Sequence, residues 1–147
     1  MNKNNNVYFA GIDVGSTTTK MVLLDIEKKI RVSSIIPTGP IIKKAVDKVI
    51  NICFEKNLNG IDDIKYCVAT GYGREIVDLA DEQITEITCH AKGVNAIFPQ
   101  AKTIIDIGGQ DSKVISVDGN GSVLSFVMND KVCSRNREVS GSDCPFT

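Results

Sequence analysis

An apolar strand that ends in an acid and runs into a turn of small residues is the most constraining feature of this chain. It spans Tyr8 to Leu24 and reads YFAGIDVGSTTTKMVLL. The first apolar run ends at Asp13, the turn bends at Gly15, and a second apolar run begins at Lys20. Two such runs predict a β-hairpin whose turn presents backbone N–H groups. This turn is suited to phosphate, and Asp13 is placed to hold the hydrated divalent cation that accompanies a nucleotide.

A second stretch repeats this design further along the chain. It runs from Thr103 to Val117 and reads TIIDIGGQDSKVISV, with an apolar strand ending in Asp106 before a turn at Gly108 and Gly109. One acid-then-glycine hairpin alone is a weak indication. Two are a stronger one, because a phosphate chain gripped from both sides requires this chemistry twice.

The pair of hairpins resembles the two phosphate loops of the superfamily that contains actin, sugar kinases and heat-shock chaperone ATPases. Four further runs are ATGYGR at 69–74, EITCHAKG at 86–93, DIGGQDSK at 106–113 and FVMNDK at 126–131. Together they resemble one branch of this superfamily, the activator component of 2-hydroxyacyl-CoA dehydratases, whose relatives serve benzoyl-CoA reductases. With the first hairpin they extend over residues 7 to 131, nearly all of the chain.

The resemblance implies an α/β fold of the ribonuclease H-like, actin-like ATPase kind. We expect a central mixed sheet that opens with an antiparallel three-strand meander and carries helices on both faces. Residues 1–131 would form the first ATPase domain, and residues 132–147 a non-native, disordered tail. Full-length relatives hold ATP in the cleft between two such domains, so we expect the adenine and ribose contacts of the second domain to be missing here.

Apolar periodicity predicts the remaining elements. Strands are expected at residues 30–36, 64–69, 83–87, 102–107, 113–117 and 122–128. Helices are expected from Ile41 to Asn57, over a short stretch ending at Leu79, and from Thr88, whose hydroxyl would cap the helix, to about Phe98. This order of strands and helices is typical of a layered α/β domain.

The pattern breaks down after Lys131. Residues 132–147 have neither strand nor helix periodicity, and their composition is typical of a loop or of disorder. The family instead has a cysteine, a glycine-rich turn and an amphipathic helix at this point. With one permitted choice of codons, deleting a base after the Lys131 codon restores a cysteine, a Gly-Thr-Gly turn and an apolar helical stripe. We therefore hypothesise that a single-nucleotide insertion shifted the reading frame.

Composition argues against several partner classes. The formal net charge is −1, so no basic face is available to bind nucleic acid or an anionic membrane. No apolar run approaches the length of a membrane span, and the Asn-rich start is not a signal peptide. With 42% hydrophobic residues the chain can bury a core. We expect a cytoplasmic protein.

The five cysteines are odd in number and form no CxxC pair, which favours neither a disulfide framework nor a zinc site. Cys53 and Cys67 lie in apolar patterns and are expected in the core. Cys89 lies beside His90, but a Cys/His nucleophile here lacks a third group to orient it.

The resemblance also implies an iron-sulfur cluster in intact relatives. There, the cysteine after the Asn-Asp-Lys run and a second one further along would ligate a 4Fe-4S cluster shared across a homodimer. Here position 132 is Val, and Cys133 is offset by one residue without the helix behind it. We therefore do not expect this chain to hold the cluster.

The candidate site residues come from the two hairpins. Asp13 is the expected magnesium ligand, Gln110 would orient an attacking water, and Asp111 is an alternative magnesium or water contact. Lys20 points either to phosphate or to solvent. The remaining phosphate contacts would be Gly15, Ser16, Thr17 and Thr18 on one side, and Asp106, Gly108 and Gly109 on the other. The family runs also single out Arg74, Glu86 and His90, for which ordinary surface roles are the simpler interpretation.

By resemblance, the function is ATP hydrolysis coupled to one-electron transfer. An iron-sulfur homodimer would use ATP and Mg²⁺ to drive an electron from ferredoxin or flavodoxin into an acyl-CoA dehydratase or reductase component. One alternative is an acyl or sugar kinase of the same superfamily. The GGQDSK and MNDK runs argue against it, because they resemble the activator branch. Another is a non-catalytic fragment, because contacts from one side of a cleft must alone offset the entropy of fixing the ligand.

Overall fold

A computed structural model describes residues 7–57, 61–108 and 111–130 of the 147-residue chain. In these ranges the chain forms two β-sheets, each packed on one face against an α-helix. The predicted α/β class is confirmed. No helix within the described ranges combines the length and the apolar character needed to cross a bilayer.

The first sheet contains the predicted meander. Its strands are β1 (Tyr8–Val14), β2 (Thr18–Leu24), β3 (Ile30–Pro37), β4 (Ile64–Thr70) and β5 (Glu82–Gln83). Their order is β3-β2-β1-β4-β5, with β1, β2 and β3 antiparallel and β4 parallel to both β1 and β5. The centre of the sheet is therefore β1, whose end carries the first acid.

The core of this sheet lies between its strands and helix α1 (Ile42–Asn57). Every second residue of β1 is buried, as expected for a strand with one core-facing side. The apolar stripe of α1 packs against this side, and Val49 and Cys53 are fully buried. Cys67 on β4 is also fully buried, so both predicted core cysteines are confirmed. Burial, followed by the nearby Asp81 carboxylate, raises the pKa of Cys67 to about 11.

The second sheet is separate and antiparallel. It consists of β6 (Thr103–Ile107), β7 (Asp111–Val117) and β8 (Val123–Asp130) in that order, and helix α2 (Glu86–Ile97) covers one face. The sequence predicted one central sheet with helices on both faces, whereas the described residues form two sheets with one helix each. The first sheet ends at β5, which is only two residues long and pairs with Val68 and Ala69 of β4.

Two local predictions need correction. Helix α2 begins at Glu86, because the Thr85 hydroxyl accepts from the Thr88 backbone N–H at 3.4 Å; Thr88 is therefore inside the helix and is not its cap. The predicted strand over 83–87 is accordingly shorter. The helix expected to reach Leu79 is a single 3₁₀ turn, Arg74–Ile76, which stops where Val77 becomes extended. The predictions for Gly109, Gln110 and residues 132–147 fall outside the described residues.

Two glycines with positive φ provide a matched test of the loop that follows β4. Gly71 has φ +85° and Gly39 has φ +65°. A Cβ at Gly39 would meet nothing within 4 Å, whereas one at Gly71 would lie 2.5 Å from Asp13 Oδ1 and 2.7 Å from the Val14 carbonyl oxygen. We expect Gly39→Ala to lower the free energy of unfolding by about 1–2 kcal/mol, and Gly71→Ala by at least about 1 kcal/mol more. Urea denaturation measures both, and equal losses would contradict the packing described.

Candidate functional site

The two predicted phosphate hairpins open onto one cavity of about 650 Å³. Ser16 at the tip of the first turn and Gly108 in the second both line it. The interpretation of the two turns as partners requires this shared crevice. The other predicted site residues that line the cavity are Asp13, Gly15, Thr17, Thr18, Lys20, Asp106 and Asp111.

A buried threonine fixes the first turn from behind. Thr38 donates from its hydroxyl to the Gly15 carbonyl oxygen at 2.7 Å and from its backbone N–H to the Thr17 carbonyl oxygen at 3.0 Å. Its hydroxyl also lies 2.9 Å from that of Thr19, and both residues are buried. Within the turn, Gly15 N–H donates to the Thr18 carbonyl oxygen at 3.0 Å. These bonds shape the turn while its tip stays exposed to the cavity. Sequence analysis missed Thr38. In the sequence it is marked only by its position in the Pro37-Thr38-Gly39-Pro40 segment, which separates a predicted strand from a predicted helix.

Asp13 and Lys20 face each other across the first hairpin. They are Cα partners in the register of β1 and β2, and Lys20 Nζ lies 2.7 Å from Asp13 Oδ2. The Asp13 side chain is 32% exposed and the Lys20 side chain is 44% exposed. An ion pair this accessible contributes little to stability, so the ammonium can exchange the carboxylate for another anion. The structure thus places Lys20 in the cavity wall, next to the predicted metal ligand.

The loop after β4 closes against the end of β1. Gly73 N–H donates to the Val14 carbonyl oxygen at 2.9 Å, and Gly71 lies so close to Asp13 that no side chain fits between them. Arg74 donates to the Gly71 carbonyl oxygen at 3.2 Å and lines the cavity. A Cβ at Gly71 would meet the Asp13 carboxylate and the Val14 backbone, and one at Gly73 would meet the Val14 side chain at 2.6 Å, so both positions of the ATGYGR run require glycine.

The second turn has the same compactness. Gly108 N–H donates to the Asp111 carbonyl oxygen at 2.9 Å. A Cβ at Gly108 would lie 2.8 Å from Asp111 Oδ1, so the carboxylate of Asp111 leaves no room for a side chain at position 108. Glycine at this position lets the chain pass directly beside the acid.

A buried lysine that sequence analysis missed organises the second hairpin. Lys113 is 4% exposed, and its Nζ lies 2.8 Å from Glu86 Oε1, 2.8 Å from Asp111 Oδ2 and 3.6 Å from Asp106 Oδ2. Burial opposes its charge, but hydrogen bonds to Asp111 and Glu86 outweigh that effect and hold the pKa of Lys113 above its usual range. A signal was present in the sequence, since Lys113 alternates with Ile115 and therefore occupies a core-facing position of β7.

The residues singled out on α2 divide into two groups. Glu86 and His90 line the cavity, and His90 Nδ1 lies 3.7 Å from Asp106 Oδ2, beyond hydrogen-bonding distance. Cys89 does not line the cavity, since adjacent residues on a helix point about 100° apart. This geometry gives no support to a Cys/His nucleophile.

A model of the BadF/BadG/BcrA/BcrD ATPase family matches residues 10–139. The chain belongs to this family. The 2-hydroxyisocaproyl-CoA dehydratase activator of Clostridioides difficile is 46% identical over 130 residues, which are 85% of this chain and 47% of the relative. The resemblance inferred from the motifs is thereby confirmed.

Two solved structures share the fold. Component A of (R)-2-hydroxyglutaryl-CoA dehydratase from Acidaminococcus fermentans matches with a TM-score of 0.79 and 41% identity, over 85% of this chain and 48% of that one. The activator of 2-hydroxyisocaproyl-CoA dehydratase from Clostridium difficile, solved with bound ADPNP, matches with a TM-score of 0.75 and 45% identity, over 85% and 46% of the two chains. The chain therefore spans about half the length of the relatives it matches.

The side chains that line the cavity carry a net negative charge, which opposes the binding of a negatively charged nucleotide. Among the described residues that line it, four carboxylates face three cations, which leaves a net charge of −1 with His90 neutral. A triphosphate would add more negative charge, so binding requires a counter-cation. In the described ranges no group of three or more His, Cys, Asp or Glu side chains is arranged to hold a metal ion. The carboxylates of Asp13 and Asp111, which line the cavity, are of the kind that Mg²⁺ uses, since this ion typically binds one or two carboxylates together with waters and phosphate oxygens.

Removing the Lys113 ammonium should destabilise the second sheet. Lys113→Met leaves Glu86, Asp111 and Asp106 close together without their cation. We expect the free energy of unfolding to fall by about 2 kcal/mol, less than for a fully buried pair because the carboxylates are partly exposed. Lys92→Met is the control, since Lys92 makes an exposed bond to the Asn120 carbonyl oxygen. Chemical denaturation of both variants measures the difference, and equal stability of K113M and K92M would contradict the role described.

Proposed function

We propose that this chain is the phosphate-binding part of an ATP-hydrolysing activator of a 2-hydroxyacyl-CoA dehydratase. The observation that carries the proposal is the single cavity lined by two acid-and-glycine hairpins from separate sheets. Membership of an ATPase family and the similarity to dehydratase activators, one of them solved with ADPNP, support it.

In this proposal the first hairpin binds the terminal phosphates. The backbone and hydroxyl groups of residues 15–18 surround them. The Gly15 N–H is bonded within the turn to the Thr18 carbonyl oxygen, whereas Ser16 and Thr17 at the tip are exposed and accessible to phosphate. Lys20 leaves Asp13 and pairs with a phosphate oxygen, and Asp13 then holds the hydrated cation. Mg²⁺, when bound, neutralises the charge that develops on the transferred phosphoryl group.

The second hairpin grips the phosphates from the opposite side. Asp106, Gly108 and Gly109 form this grip, and Gln110 orients the attacking water in the way that other nucleotide hydrolases use a glutamine. Asp111 offers Oδ1 to the metal or to water, because its Oδ2 is bonded to Lys113. The buried ammonium thus sets which oxygen of Asp111 is available.

Electron transfer is proposed only for the whole activator. In it, a homodimer with a 4Fe-4S cluster would pass an electron from ferredoxin or flavodoxin to the dehydratase or reductase component, in the cytoplasm, where ATP is supplied. The described residues offer no set of ligands for such a cluster, since Cys53 and Cys67 are buried in the core of the first sheet and Cys89 lies on α2, which packs against the second sheet. No step of the mechanism above depends on the cluster.

The metal requirement tests the nucleotide site directly. We expect the 147-residue chain to bind a fluorescent ATP analogue in the presence of Mg²⁺ and to lose binding in EDTA. Asp13→Asn keeps the shape but removes the charge, so it should weaken Mg²⁺-dependent binding at least about tenfold. Asp47→Asn, on the outer face of α1 beside Lys43, is the matched control and should bind normally. Binding that is absent, or that survives both EDTA and D13N, would contradict the proposal.

Phosphate release separates the three function classes. Release of inorganic phosphate to water, without an acceptor, indicates an ATPase. Transfer that requires an added acyl or sugar acceptor indicates a kinase. Binding without turnover indicates a non-catalytic fragment. Each outcome leaves the family assignment unchanged.

A further inference from the structure

The hydroxyl of Thr70 is buried without a hydrogen-bond partner. Among the described residues it is the one buried side-chain oxygen or nitrogen in this condition. Buried polar groups in folded proteins are nearly always paired, because leaving one unpaired costs free energy. An exception at the edge of a ligand site therefore calls for a functional explanation.

Thr70 lies next to the acid on which the proposed nucleotide site depends. It is the last residue of β4 and the Cα partner of Asp13 in the parallel register of β1 and β4. Partnered residues of neighbouring strands, about 4.8 Å apart, point to the same face of a sheet. Gly71, the next residue, is pressed against Asp13 Oδ1 and fixes the end of β4 at this point.

The Asp13 carboxylate already has one donor, which is unsuited to a metal-bound state. Within the described part of the chain, its hydrogen bond is the one from Lys20 Nζ to Oδ2 at 2.7 Å. A second positive charge at this distance would repel a cation that approaches the same carboxylate. A neutral hydroxyl would hold the carboxylate without this repulsion.

We propose that Thr70 is a positioning residue, which donates its hydroxyl hydrogen to the Asp13 carboxylate when nucleotide and cation are bound. The inference rests on the proposed function. The phosphates draw Lys20 away, Thr70 takes its place as the donor to one carboxylate oxygen, and the other oxygen faces the hydrated cation. Carboxylates that serve metals are commonly oriented by such second hydrogen bonds.

Two substitutions separate this role from a structural one. Thr70→Val has nearly the same shape but no hydroxyl, and Thr70→Ser keeps the hydroxyl. We expect T70V to raise the Mg²⁺ concentration for half-maximal binding of the fluorescent ATP analogue about tenfold, and T70S to remain near the wild type. Without nucleotide, T70V should unfold at the same or a higher temperature, because it removes an unpaired buried hydroxyl.

The outcomes distinguish this inference from the proposed function. If the wild type binds the analogue with Mg²⁺ but T70V has the same Mg²⁺ dependence, the inference fails and the proposed function stands. If T70V loses thermal stability and its Mg²⁺ dependence is unchanged, Thr70 is merely structural. If T70S is impaired as strongly as T70V, the hydroxyl is not the active group. If the wild type shows no Mg²⁺-dependent binding at all, both proposals fail together.

Discussion

The parallel pairing of β1 with β4 is the interaction on which the site depends. Because β1 also pairs antiparallel with β2, its last residues receive the turn to β2 on one side and the loop after β4 on the other. The carboxyl ends of parallel strands meet at one edge of a sheet, and ligand sites commonly form there. Asp13 is thereby enclosed by Lys20 from one neighbour and by Thr70 and Gly71 from the other. Glycine is required because the backbones approach more closely than a Cβ allows.

The second hairpin depends on a buried ion cluster as well as on apolar packing. Among the described residues, the core between the second sheet and α2 contains few buried apolar side chains, namely Ala91, Ile104, Ile115 and Val117. Lys113 lies on the same side of β7 as Ile115, and its three carboxylate neighbours compensate the cost of burying its charge. The ion cluster adds directional specificity, since it joins β6, β7 and the first turn of α2 at one point. Apolar contacts alone would not determine the distance between these elements as sharply.

Sequence periodicity predicted what local patterns encode. The meander, the long helix α1 and the acid at the end of β1 follow from alternation and from helical spacing within single segments. Thr38 and the partners of Lys113 could not be predicted in this way, because their bonds join residues far apart in the chain. The start of α2 was placed too late since both Thr85 and Thr88 can serve as caps. The division into two sheets was not predicted, because alternation within single strands does not specify which strands pair.

The segment from Ile84 to Glu86 connects the first sheet to the second. Ile84 N–H donates to the Ala69 carbonyl oxygen at 2.9 Å and so belongs to the first sheet, whereas Glu86 bonds to Lys113 in the second. Only Thr85 therefore separates the anchoring residues of the two sheets, and Ile84 is bonded to Ala69, the residue before Thr70. Because this segment leads directly into α2, Glu86 and His90 on that helix line the same cavity as the two hairpins.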